Sequence, residues 1–173
     1  WWVASGYGAS GTVRSHPGVL FTGGLGLVLE PMASTIEPLV ADCARAGSMV
    51  MIDVNCRPKI IADRDAYVDR VERVLAGADV VKVSDEDLHF LDPSHSAHDA
   101  AAGLLQLGPK AVLVTAGGRA VHVLTADGRV DVAVAPVEVV DTIGAGDTFG
   151  AGFVAWWVAS GYGASGTVRS HPG

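Results

Sequence analysis

The chain has 173 residues, a formal net charge of −7 and 49% hydrophobic residues. That length suits one domain with an ordinary core, and that apolar content excludes a disordered chain. The acidic balance argues against a nucleic-acid surface or an anionic membrane as partner, and no apolar run reaches membrane-spanning length.

Residues 19–22 read as a buried strand ending in Gly23-Gly24, followed by an apolar connection over residues 25–30. Ser34 with Glu37 has capping-box spacing, with Pro38 near the first turn and Leu39, Val40, Cys43 and Ala46 at helical spacing up to Gly47. Residues 49–54 form a continuous apolar run, the pattern of a strand covered on both faces. A second helix is expected over residues 65–76, with Tyr67, Val71, Val74 and Leu75 inward and Asp69 paired with Arg73. Residues 79–83 read as a strand, followed by an acidic helix start at Ser84-Asp85-Glu86-Asp87. A further helix spans 97–107. Strands are expected at 111–115, 120–124 and 130–139, the last two joined at Asp127-Gly128. This alternation predicts an α/β fold, a mostly parallel sheet with helices on both faces and an antiparallel far edge. Cys43 and Cys56 have no C-x-x-C spacing and no secretory leader opens the chain, so buried, reduced thiols and a cytoplasmic setting are expected.

The chemistry concentrates in residues 141–153, Asp141-Thr142-Ile143-Gly144-Ala145-Gly146-Asp147-Thr148-Phe149-Gly150-Ala151-Gly152-Phe153. A glycine-rich bend feeding a helix N-terminus aims several N–H groups and a positive dipole end at one point, which suits an anion. Asp147 falls in the first turn beside that point, where a carboxylate is unwelcome near phosphate unless it takes a proton from the attacking hydroxyl. A P-loop would need Gly-Lys-Ser/Thr, yet no Lys or Arg lies between Val130 and Val168. The dinucleotide fingerprint has a different glycine spacing and belongs after a first strand. The structural alternative is a strand-to-helix turn packed for its own sake.

This stretch resembles the D-T-x-G-A-G-D-x-F signature of the PfkB, or ribokinase-like, carbohydrate kinases. Asp53-Val54-Asn55-Cys56-Arg57 is similar to the D-x-N-x-R segment of the fructokinase and 2-keto-3-deoxygluconate kinase relatives. Residues 84–87 stand where the family has N-x-x-E, with Ser84 for Asn and Asp87 for Glu. Thr115-Ala116-Gly117 is similar to the family's T-x-G turn. The resemblance covers residues 19–161 and implies a three-layer ribokinase-like fold lacking the N-terminal strands and lid. It implies transfer of the ATP γ-phosphoryl group to a sugar or sugar-acid hydroxyl, with Asp147 as general base and Gly144, Ala145 and Gly146 as the anion hole. Thr115, Gly117 and Ser84 would border the nucleotide, and Asn55 and Arg57 the substrate and its phosphate. Asp87 would act on Mg²⁺ through water and Asp141 on a monovalent cation such as K⁺. Structural alternatives stand beside these roles: Arg57 paired to an acid in a surface loop, residues 84–87 as an N-capped helix, and Asp141 as a fixer of turn geometry.

The resemblance implies a sugar and ATP as small-molecule partners, with a homodimer as the candidate assembly. Because the family's sugar site and lid have no counterpart here, the chain alone is expected to be inactive or nearly so. The alternatives are a nucleotide-binding, non-catalytic piece, or another enzyme of the same fold such as a nucleoside kinase or an ATP-dependent hydrate dehydratase. His89, His95 and His98 are too interrupted by Pro93 to read as a metal site. Residues 1–18 recur letter for letter as residues 156–173. Perfect identity over that length is foreign to diverged repeats. The expected organisation is a displaced, poorly packed duplicate over 1–18 and the kinase-like part over 19–173.

Overall fold

The computed structural model describes the backbone of residues 2–3 and residues 18–161. One sheet runs through the molecule in chain order: β1 (Trp2–Val3), β2 (Val19–Gly23), β3 (Met49–Asp53), β4 (Val80–Ser84), β5 (Ala111–Thr115), β6 (Ala120–Thr125) and β7 (Gly128–Ala133). Strands β2 to β5 are mutually parallel, and β6 and β7 turn back antiparallel. The backbone of β1 pairs antiparallel with β2, Trp2 opposite Phe21 and Val3 opposite Leu20. Of the 1–18 duplicate, residue 1 and residues 4–17 lie outside the described residues.

Four helices, α1 (Met32–Arg45), α2 (Arg64–Leu75), α3 (Asp85–Leu91) and α4 (Ala97–Gln106), cover one face of the sheet. Their apolar sides meet Leu20, Val50, Ile52, Val81, Val83, Val112 and Val114. The opposite face presents Val19, Met49, Met51, Val80 and Leu113, and is packed by α5 (Ala145–Ala159) through Phe149, Phe153, Val154 and Trp157. Strand residues alternate between the two faces, so a strand buried on both must be apolar at nearly every position. β3 is buried at all five of its positions. Each large side chain withdrawn fully from water contributes ~1.5–3 kcal/mol, and the largest such group lies on the four-helix face.

Several expected details shift. α1 starts at Met32, so Ser34 lies inside it and the expected Ser34–Glu37 capping box does not form. Glu30 caps instead, its Oε2 accepting from the Ser34 N–H at 3.1 Å and the Ser34 hydroxyl at 2.7 Å. Pro38 therefore falls in the helix interior, not near its first turn. Freed from capping, Glu37 faces α2 and accepts from Arg73 Nε at 2.6 Å, which replaces the expected Asp69–Arg73 pair. β7 stops at Ala133, short of the expected 139. Pro136 has no N–H for a ladder, and residues 135–143 run exposed towards the start of α5.

Candidate active site

Strand ends and one helix start meet at a single edge of the sheet. The parallel register sets Gly23 beside Asp53 and Asp53 beside Lys82, and Ser84 beside Thr115. Asp53 and Lys82 fall on the α5 face by alternation with Met51 and Val80. Both are buried, 4% exposed each, and Lys82 Nζ donates to the two carboxylate oxygens of Asp53 at 3.0 and 2.9 Å. Burial pushes the Asp53 carboxyl above the usual aspartate range; the Lys82 ammonium works against that, and the charges of Asp87 and Asp147 add to it.

The bend forms as its residues dictate. The Asp141 carboxylate accepts from the Ile143 N–H at 2.9 Å, an Asx turn, so Asp141 does fix the turn. The Ala145 N–H donates to the Thr142 carbonyl at 3.1 Å. Gly144 caps α5 in the left-handed conformation, φ 76°, which costs glycine nothing. The helical ladder then opens with Thr148 N–H to Gly144 C=O at 2.8 Å. Gly146 and Asp147 occupy the second and third helical positions, whose amides have no acceptor within a helix. The bend is open to solvent and the Asp147 side chain is exposed. Of the three expected anion-hole residues, Ala145 has its amide engaged inside the turn.

A cavity of about 200 Å³ lies under this helix start, bounded by Gly23, Gly24, Asp53, Asn55, Arg57 and Asp147. Asp147, Asn55 and Arg57 therefore share one cavity despite their separation in sequence. Asn55 has a positive φ of 40°. Its side-chain oxygen accepts from Arg57 Nη1, which also donates to the Asn55 and Cys56 carbonyls at 3.0 Å. Among the described residues Arg57 has no acidic partner, so the guanidinium is curled on its own loop beside the cavity.

The remaining site residues lie along the same edge, outside the cavity lining. Ser84 and Asp87 form a capping box: the Ser84 hydroxyl accepts from the Asp87 N–H at 3.0 Å, and Asp87 Oδ2 accepts from the Ser84 N–H at 3.0 Å. The other oxygen of Asp87, 8% exposed, accepts from the Cys56 N–H at 2.7 Å and ties α3 to the Asn55–Arg57 loop. Thr115 Oγ1 donates to the Val83 carbonyl at 3.5 Å. Gly117 sits exposed at the following turn, with φ 58°. Arg119, just beyond it, pairs with Asp85. Among the described residues no group of three His, Cys, Asp or Glu side chains is placed to hold a metal. Cys56 is an inert thiol, pushed up to about 12 chiefly by burial.

Sequence reasoning gave no role to Lys82 or to Asp53. The signal was present: two opposite charges, Asp53 at the end of β3 and Lys82 in the middle of β4, interrupt runs that are otherwise apolar.

Comparison with known proteins bears on the family and the fold. A family profile described as pfkB family carbohydrate kinase matches residues 17–169. A fructokinase from Rhizobium leguminosarum bv. trifolii is 40% identical over 137 residues, covering 79% of this chain and 41% of that protein. Among solved structures, aminoimidazole riboside kinase from Salmonella enterica, complexed with aminoimidazole riboside and an ATP analog, superposes with a TM-score of 0.71 at 30% identity over 76% of this chain and 44% of that one. Fructokinase from Vibrio cholerae O395, bound to fructose, ADP and calcium ion, gives a TM-score of 0.74 at 28% identity over 80% of this chain and 45% of that one. The α/β fold is thus that of the ribokinase-like kinases, and the chain spans less than half the length of these relatives.

Proposed function

We propose a function on the premise that the chain belongs to the pfkB family of carbohydrate kinases: ATP-dependent phosphorylation of a sugar or sugar-acid hydroxyl. The observation that carries the proposal is the open cavity in which Asp147 stands at a helix N-terminus, opposite Asn55 and Arg57. The sugar oxygen would attack the γ-phosphorus, an O–P bond forming as the bond to the β-phosphate bridging oxygen breaks. ADP would leave, and the hydroxyl proton would pass to Asp147. The amides of Gly146 and Asp147, with Gly144 shaping the bend, would face the charge on the moving phosphoryl group. Asn55 and Arg57 would hold the acceptor or the phosphoryl oxygens once the guanidinium uncurls.

Ser84, Thr115 and Gly117 would form the floor for the nucleotide. Mg²⁺ would neutralise phosphate charge. It would be held by the nucleotide, with Asp87 acting through water, since both Asp87 oxygens already accept amides. Asp141 would hold a monovalent cation with its remaining lone pairs. Buried, free Cys43 and Cys56 accord with a cytoplasmic location, and a homodimer is the assembly to test.

The short coverage of the relatives favours a second reading, a nucleotide-binding chain without turnover. Thermal-shift titration with ATP–Mg²⁺, with and without a panel of sugars, separates the two. A further shift on adding sugar, with ADP released, supports the kinase. A shift with nucleotide alone supports the second reading, and no shift overturns both.

A further inference from the structure

The bend contains no cation, yet a phosphoryl group is to be held there between two carboxylates, Asp147 and Asp53. We propose that Lys82 is a positioning residue for the bend: its ammonium, carried on β4 and gripped by Asp53, supplies positive charge to the phosphate site from beneath Gly146. The inference rests on the reading of the bend as a phosphate site.

Three observations converge. A Cβ built on Gly146 would stand 3.0 Å from Lys82 Nζ, with Cε the next atom at 3.6 Å. The second residue of α5 thus rests on the ammonium, and glycine at 146 is what allows that approach. The Lys82 side chain is 5% exposed, so its charge is little screened by water and acts strongly on groups just above it. The register sets Lys82 directly beside Asp53, which lines the same cavity as Asp147. The ammonium therefore lies between the carboxylate that holds it and the helix start, and adds its charge to that of the helix amides at the phosphate site. A residue that reaches the site through the floor also accounts for a bend without its own lysine or arginine.

A pair that merely tied β3 to β4 would behave differently. Loss of either partner would then weaken the site in the same direction. If Lys82 works as a charge for the bend, the two partners have opposite effects: removing the lysine removes the attraction, and removing Asp53 frees it.

The test uses the full chain, labelled with ¹⁵N and titrated with ADP, reading the amide shifts of residues 144–147. Lys82→Met is expected to weaken binding on the order of tenfold, and Asp53→Asn to tighten it. The double variant Asp53→Asn/Lys82→Met leaves no unpaired buried charge, so it controls for the destabilisation that a single variant carries. It is expected to bind more tightly than Lys82→Met, which leaves the Asp53 charge uncompensated, and more weakly than the unsubstituted chain. Undiminished ADP affinity in Lys82→Met or in the double variant overturns the inference while leaving the function standing. So does equal weakening by both single variants. Absence of any shift at residues 144–147 in the unsubstituted chain overturns the reading of the bend, and this inference with it.

Discussion

Asp131 is an exposed aspartate on β7, held by Arg129 and His122. Its oxygens accept from Arg129 Nε at 2.6 Å and Nη2 at 3.0 Å, and His122 Nδ1 lies 2.8 Å away. The hydrogen bonds from Arg129, then that from His122, hold its carboxyl down to about 2. The unfolded chain therefore takes up this proton first as pH falls. The contribution is present above the ordinary aspartate range and disappears as pH drops towards 2. Arg129→Ala should raise the Asp131 midpoint, read by carboxyl carbon NMR. At Asp147, replacement by Asn should cut any sugar-dependent turnover by orders of magnitude while leaving ATP binding little changed, since the proposed proton acceptor goes and the amides stay. The two residues also show what a sequence exposes at this scale. Asp147 announces itself because glycines flank it and no basic residue competes. Lys82 does not, because its meaning depends on Asp53, 29 positions earlier, and on a helix start far later in the chain. Only the sheet register makes them neighbours.

Two glycines of α5 should respond to alanine with opposite signs. At Gly150 a Cβ would come within 2.4 Å of the Phe21 ring, so the helix would have to lift from β2 or the ring would have to move. Overpacking of that kind costs ~1–3 kcal/mol, more than the ~1 kcal/mol that alanine gains over glycine in a helix. At Gly152 nothing lies within 4 Å, and the same substitution should stabilise by up to ~1 kcal/mol. Chemical denaturation of the two variants checks both, and equal effects would show that α5 is not seated on Phe21. The elements that were plain in the sequence are those set by local pattern: the apolar run of β3, the inward positions Tyr67, Val71, Val74 and Leu75 of α2, and the Ser84 cap of α3. The cap of α1 departs from its expected place because Ser34 and Glu37 have the right spacing, but Glu30 reaches the same amide from upstream. β7 is shorter than its pattern suggests because apolar residues persist through 134–140 after the ladder has no further strand to join.

At the scale of the molecule, the two faces of the sheet are covered unequally, four helices against one among the described residues. Amide exchange should follow that division. The central strands β3, β4 and β5 should be slowest, whereas residues 134–143, where Val137, Val140 and Ile143 are 74%, 95% and 90% exposed, should exchange first. The same experiment tests the duplicated start of the chain: amides of residues 4–18 as slow as those of β5 would contradict a poorly packed duplicate. The layered architecture was legible from the alternation of strand and helix patterns. The unequal covering was not, because it depends on which face each crossover takes.

Because strand order repeats chain order, each described strand from β2 onward finds its partner in the segment made just before it. A growing polypeptide could lay down this sheet edge by edge as it leaves the ribosome, with little waiting for distant sections. The exception is α5, which returns across the sheet to rest on β2, close to where the described core begins. The bend at residues 141–147 leads into that returning helix, so it can take up its place only after β2 and the strands beside it have set.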